Sequence, residues 1–278
     1  MSATARVATA VRGRSHAAEV VLAASLAGLI IVEYAVIVLL PSTWNRVLAF
    51  DYWPYADAAS RWLHGGSFYL PYQLSGPYPV VEHEIMYPPS ALFLLVPFTV
   101  LPAPLWWAIP TAVAGWFVAS YRPSLLGWTG ILACLAFPWT PMLWLAGNPV
   151  IWIVAGLAAA PRLGWPGAIL ALKPQFAPLA LIGWRHRSFW IASVIVGAAS
   201  LLLLPLWFDW LNALRNVSSW PGGNLAYWVN NLPLLAIPLI AWLARTHDRA
   251  WTSGKTSGET RPLAETRAES SAGSDVAS

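Results

Sequence analysis

Long apolar runs separated by short polar breaks dominate this chain, and their lengths predict helices. The runs cover Ala18–Leu40, Ser90–Leu101, Pro104–Tyr121, Leu125–Ala146, Pro149–Ala160, Gly164–Trp184, Ser188–Trp207 and Val229–Arg245. Crossing a bilayer takes about 20 helical residues, so Ser90–Leu101 and Pro149–Ala160 are expected to be tilted, broken or re-entrant. The pattern predicts an all-α fold, a polytopic transmembrane helical bundle of about eight spans.

The largest polar interruption lies between the first two runs, from Pro41 to Tyr87. Within it Tyr55–Leu63 reads as a short helix, with Pro54 tolerated in its first turn and Gly65-Gly66 ending it. Tyr55, Ala59, Trp62 and Leu63 are expected on its buried face, and Asp51 at or just before its amino end. From Thr252 onward the chain is rich in Ser, Thr, Glu and Gly without apolar periodicity, the composition of a disordered tail. The expected organisation is a basic segment over residues 1–17, a membrane domain over 18–246 containing the 41–87 loop, and a tail over 247–278.

Composition sharpens the class. Hydrophobic residues make up 58% and charged residues 10%, against about 25% charged in soluble domains, so the lipid bilayer is the expected partner. Nineteen Trp and twenty-four Pro suit interfacial anchoring and interrupted helices. The net charge of +4 comes from basic residues at the ends of apolar runs, which argues for orientation and against nucleic acid. Arg6, Arg12, Arg14, Arg185, Arg187, Arg245 and Arg249 fall on one side, expected to be cytoplasmic together with both termini. The 41–87 loop then lies outside, joined by the Phe208–Trp228 loop, in a multi-pass cell-membrane protein whose first run is an uncleaved anchor. The single Cys134 sits in an apolar run and can form no internal disulfide.

Candidate chemistry concentrates at a few misplaced polar residues. Asp51, bordered by Tyr52, Trp53 and Tyr55, is either a helix cap or a general base for a hydroxyl; Asp57 reads as a solvated carboxylate. Lys173 lies within an apolar run, where an ammonium costs about 2.5–3.5 kcal/mol on insertion scales, and it either serves an anion or snorkels to the interface. Pro174 should break the helix beside it. Glu33 is expected to reach the headgroups. Gly147-Asn148-Pro149 reads as a turn, or places an amide where it can bond a sugar or a neighbouring helix. His64, Glu82, His83 and Glu84 match no metal spacing, so no metal is expected. No phosphate-cradling Gly-rich loop or Ser/His/Asp order is present, which disfavours nucleotide chemistry. Asn216-Val217-Ser218 is a chance-level sequon.

Taken together, these residues resemble glycosyltransferase family 87, the polyprenyl-phosphate-mannose-dependent mannosyltransferases of the GT-C fold. The likeness runs over roughly Phe50 to Ile182. It comprises Asp51, Tyr55 and Ala58 in a D-x-x-x-Y-x-x-A pattern, Gly66 to Tyr69 as G-x-x-Y, Tyr87-Pro88-Pro89 opening an apolar helix, Gly147-Asn148, and Leu172-Lys173-Pro174. Tyr227 to Asn231 is similar to a late Asn-containing element. The resemblance implies inverting transfer of a hexose, most often mannose, from a polyprenyl-phosphate sugar to a lipid-linked or glycan acceptor on the extracytoplasmic face, with no cofactor beyond that donor. It implies Asp51 as catalytic base and Lys173 near the donor phosphate; Tyr55, Tyr69, Tyr87 and Asn148 are the accompanying substrate-binding candidates.

The chain departs from the family in being shorter than typical members and in carrying Asn148 where Gln is usual. A shortened, noncatalytic member is therefore one alternative. A transporter or flippase of a lipid-linked sugar is another, although no internal repeat of the kind common in transporters is visible.

Overall fold

A computed structural model describes residues 3–39, 47–79, 84–221 and 229–246, with side chains left out at 3–16, 38 and 172. The chain divides into two units, Met1–Arg245 and Thr246–Ser278. The expected tail lies outside the described residues, as do Glu82, His83, Tyr227 and Trp228.

Every named element among the described residues is helical, in keeping with the all-α expectation. Helix α1 spans Ala3–Leu39, so the basic amino-terminal segment continues into the first apolar run without a break. Helices α2 (Tyr52–Leu63) and α3 (Pro71–Ser75) lie within the 41–87 loop. A composite α/3₁₀ helix, α4, covers Pro89–Thr99. Then come α5 (Leu105–Ser120), α6 (Leu125–Leu135), α7 (Trp139–Leu145) and α8 (Val150–Leu163). In place of the helix expected over Gly164–Trp184 with a break at Pro174, the chain makes short, mostly 3₁₀ turns across Trp165–Leu172, Pro174–Phe176, Ala177–Ala180 and Leu181–Gly183, then forms α9 (Arg187–Leu201), α10 (Leu204–Ser218) and α11 (Leu232–Leu243).

Helix α8 is the hub. Val150, Ile151 and Ile153–Ala160 are all buried, as expected of a helix that is apolar all round. It packs against α5, α11 and the 165–172 segment. Close approach is possible because Gly156 lacks a side chain: a Cβ there would sit 2.8 Å from the Pro166 carbonyl oxygen. Small residues drive such contacts where lipid removes the hydrophobic incentive. Helix α1 contrasts with this. It rests on α6 and leaves Val21, Leu22, Leu29, Ile31 and Val32 exposed, a surface suited to lipid.

Among the described residues one helix, over Ala17–Ile37, is long and apolar enough to cross a membrane, or up to three if each bent pair is one span. The run expected as a single helix over Leu125–Ala146 bends by 68° between α6 and α7. The run Ser188–Trp207 bends by 86° between α9 and α10, and α10 continues as helix into the region expected to be loop from Phe208. Pro138 and Pro205 stand at the start of the second helix in each pair, where a missing N–H costs least.

Candidate functional site

The site begins with the loop entering α2. The N–H groups of Asp51 and Tyr52 both donate to the Ala146 carbonyl, at 2.8 and 3.1 Å, and Ala49 N–H donates to Leu145 at 2.9 Å. The amino end of α2 is thereby tied to the carboxyl end of α7. Ala49 occupies the left-handed region with φ of 60°, a conformation a non-glycine residue holds only when its surroundings enforce it. Tyr52, Tyr55, Ala58 and Ala59 form the buried face of α2. Leu63, expected on that face, is exposed, because the stripe runs 52, 55, 59, 62 and Leu63 falls beside it.

Two indoles hold the other side. Trp106 Nε1 donates to the Gly147 carbonyl and Trp107 Nε1 to the Trp144 carbonyl, each at 2.7 Å. The Tyr52 ring lies against both, with centroids at 5.5 and 5.2 Å. Gly147 passes between them with φ of +71°; an added Cβ would meet Trp107 at 2.7 Å and Tyr52 at 2.9 Å.

On this frame the sequence-predicted residues converge. Asp51 stands at the N-cap position of α2, yet its side chain makes no capping bond. Instead Asn148 Nδ2 donates to Asp51 Oδ2 at 2.7 Å. Asn148 Oδ1 accepts from Val150 N–H at 3.0 Å, Tyr87 Oη at 3.3 Å and Lys173 Nζ at 3.4 Å. Lys173 has an extended backbone, φ −126° and ψ 99°, where Pro174 breaks the helical path. Its side chain is buried, lies 5.0 Å above the Tyr87 ring and interacts electrostatically with Asp51. The ammonium is therefore held inside the fold and does not snorkel outward.

Tyr55 and Tyr69 support Tyr87 from behind. The Tyr55 ring packs edge-on at 5.1 Å, and Tyr69 Oη donates to the Tyr87 carbonyl at 2.8 Å. Burial pushes the Tyr69 hydroxyl well above the ordinary tyrosine range, with the charge of Asp209 and the Tyr78 hydroxyl adding to it.

The remaining candidates lie elsewhere. Asp57 is exposed and ion-paired with Arg61. His64 Nδ1 is 2.7 Å from the Ser60 carbonyl of its own helix, and Glu84 Oε1 accepts from Tyr72 Oη at 3.4 Å. Among the described residues no three His, Cys, Asp or Glu side chains gather as a metal would need. Glu33 sits half-buried on α1. Asn216 is committed to the Gln73 carbonyl at 2.9 Å, and Asn231 is buried at the start of α11.

Sequence reasoning missed Trp106, Trp107 and Gln73. Gln73 is fully buried; its side chain accepts from Leu70 N–H and donates to Tyr78 Oη and the Ile85 carbonyl, at 2.9, 3.3 and 3.3 Å. A glutamine in a short polar helix carries no signal of burial. The adjacent indoles after Pro104 offered only the general preference of Trp for interfaces.

Beside the cluster, Trp144 and Ile151 also line an apolar cavity of about 410 Å³ bounded by Tyr34, Thr111, Val118 and Leu234 among others. The chain matches no protein-family model, no curated protein and no solved structure.

Proposed function

We propose that this chain is an integral-membrane glycosyltransferase that moves a hexose, mannose by resemblance, from a polyprenyl-phosphate donor to a lipid-linked or cell-envelope glycan acceptor. The observation that carries the reading is the meeting of Asp51 and Lys173 at the two ends of one amide. A half-exposed carboxylate and a buried ammonium in one cluster match the two needs of this reaction.

In the proposed step the acceptor oxygen attacks the anomeric carbon as its proton passes to the Asp51 carboxylate. The bond between that carbon and the phosphate oxygen breaks on the opposite face, giving inversion. Polyprenyl phosphate departs carrying the electron pair, and Lys173 stabilises the growing charge. General-base help is worth about 10²–10⁴-fold and a preorganised cation about as much. No metal or cofactor enters the step. The apolar cavity next to Trp144 and Ile151 suits the first isoprene units of the tail. The proposed topology is a multi-pass bundle with the basic segments cytoplasmic and the 41–87 loop outside; the bonds from Asp51 to Ala146 and from Ser124 to Ala244 favour fewer full crossings than the eight expected from run lengths.

The test is purified protein in lipid nanodiscs, supplied with labelled polyprenyl-phosphate mannose and a lipid extract as acceptor. A new labelled glycolipid, absent with Asp51→Asn despite correct folding, is the expected result. Full activity of Asp51→Asn would remove the carboxylate from the mechanism. Passage of the donor between leaflets without a new product would assign a flippase instead.

A further inference from the structure

The amide of Asn148 is engaged at both ends. The protein fills Oδ1 with Val150 N–H, Tyr87 Oη and Lys173 Nζ, and commits one N–H of Nδ2 to Asp51. The amide can face only one way. Reversing it would set the NH₂ group against the Lys173 ammonium and the Val150 N–H, and set the carbonyl oxygen against the Asp51 carboxylate, a clash of donors with donors and acceptor with acceptor. We infer that Asn148 is a positioning residue for Asp51, an amide clamp between carboxylate and ammonium.

Three consequences follow from this geometry. A hydrogen bond donated to the ionised carboxylate favours the charged form, so Asn148 keeps Asp51 ready to accept a proton. The 2.7 Å bond also fixes the direction of the carboxylate, and orientation is a large part of what a catalytic group contributes. Through the same amide Lys173 and Tyr87 polarise the N–H that Asp51 receives, because donors on Oδ1 make Nδ2 a stronger donor. The charged and titratable groups facing the amide are Asp51, Lys173 and Tyr87.

The competing role is structural, since the Oδ1 bond to Val150 N–H caps the first turn of α8. Serine separates the two roles: its hydroxyl accepts at a helix start but is too short to reach Asp51. The value of Asp51 as a base rests on the transferase reading, whereas the clamp can be measured without transfer. The apolar reagent dicyclohexylcarbodiimide attacks protonated carboxyls, and labelling of Asp51 against pH, mapped by mass spectrometry, reads its acidity.

Asn148→Ser should raise the half-labelling pH by about one unit, roughly tenfold in proton affinity, while Asn148→Gln stays close to the wild type. In transfer assays the serine variant should lose kcat with the donor KM little changed, and the acid limb of its profile should move up by the same amount. A folded Asn148→Ser protein with the wild-type labelling midpoint would overturn the inference. Collapse of both variants would also overturn it, by making Asn148 a folding residue. A wild-type chain that forms no glycolipid while the midpoint still shifts with serine retires the transferase reading and leaves the clamp standing.

Discussion

The backbone N–H of Asp51 donates to the carbonyl oxygen of Ala146 at 2.8 Å, so the carboxylate at the head of α2 hangs from the last turn of α7. Everything that disturbs the 146–148 turn must move Asp51. Gly147 is the sensitive point, combining φ of +71° with no room for a Cβ between Trp107 and Tyr52. Gly147→Ala should lower stability by about 1–3 kcal/mol and abolish transfer, read as a fall in the thermal midpoint in detergent. An unchanged midpoint would show that the turn can relax.

Lys173→Met removes the ammonium and keeps the length of the side chain. Asn148 Oδ1 retains Tyr87 and Val150 as donors, and Asp51 is half-exposed, so water can compensate its charge. Stability should change by less than about 1 kcal/mol, while transfer falls about 10²–10³-fold, the usual cost of losing one preorganised charge stabiliser. Steady-state rates of the folded variant check this, and an undiminished rate would separate Lys173 from the chemistry.

Gln73→Leu should loosen α3. The change leaves the partly buried Leu70 N–H and the buried Ile85 carbonyl without the side chain that serves them, and a buried group so abandoned costs about 1–3 kcal/mol. Asn216 and Asn212 still bond the backbone of α3 from α10. Faster amide hydrogen exchange over residues 71–75, with exchange in α8 unaltered, is the expected outcome.

Alkaline pH should open the loop before the bundle. Burial raises the hydroxyls of Tyr69 and Tyr78 above their ordinary value. A tyrosine raised in the folded state contributes stability that is intact below its unfolded pKa of about 10 and lost as pH climbs from there through the folded value. Tyrosinate absorbance during a base titration should therefore rise late and together with exposure of the loop to protease. Early, graded ionisation of all nine tyrosines would contradict the burial.

Helix positions were largely legible because apolar run length and interrupting prolines are properties of neighbouring residues. The starts of α5 near Pro104, α6 near Leu125 and α8 near Pro149 agree with the runs. The bends were not legible: Ala136-Phe137-Pro138 and Leu202-Leu203 are as apolar as their surroundings, and hydropathy carries no direction. The part of α10 from Phe208 onward reads as connecting loop in the sequence because its polar residues end the apolar run. Its Asp209, Asn212, Arg215 and Asn216 in fact recur at helical spacing along one side.

Lys173 stands out in the sequence by the cost of an ammonium in an apolar run, Asn148 by the break at Gly147 to Pro149, and Asp51 by its place before the short helix and in the family-like pattern. Which of them meet was decided by the tertiary structure. Asp51 and Asn148 are 97 positions apart, and the direction of each segment depends on a 68° bend, a left-handed glycine and two indole hydrogen bonds. Local sequence encodes the energetic cost of each misplaced group; only packing over the whole bundle brings those groups close enough to offset it for one another.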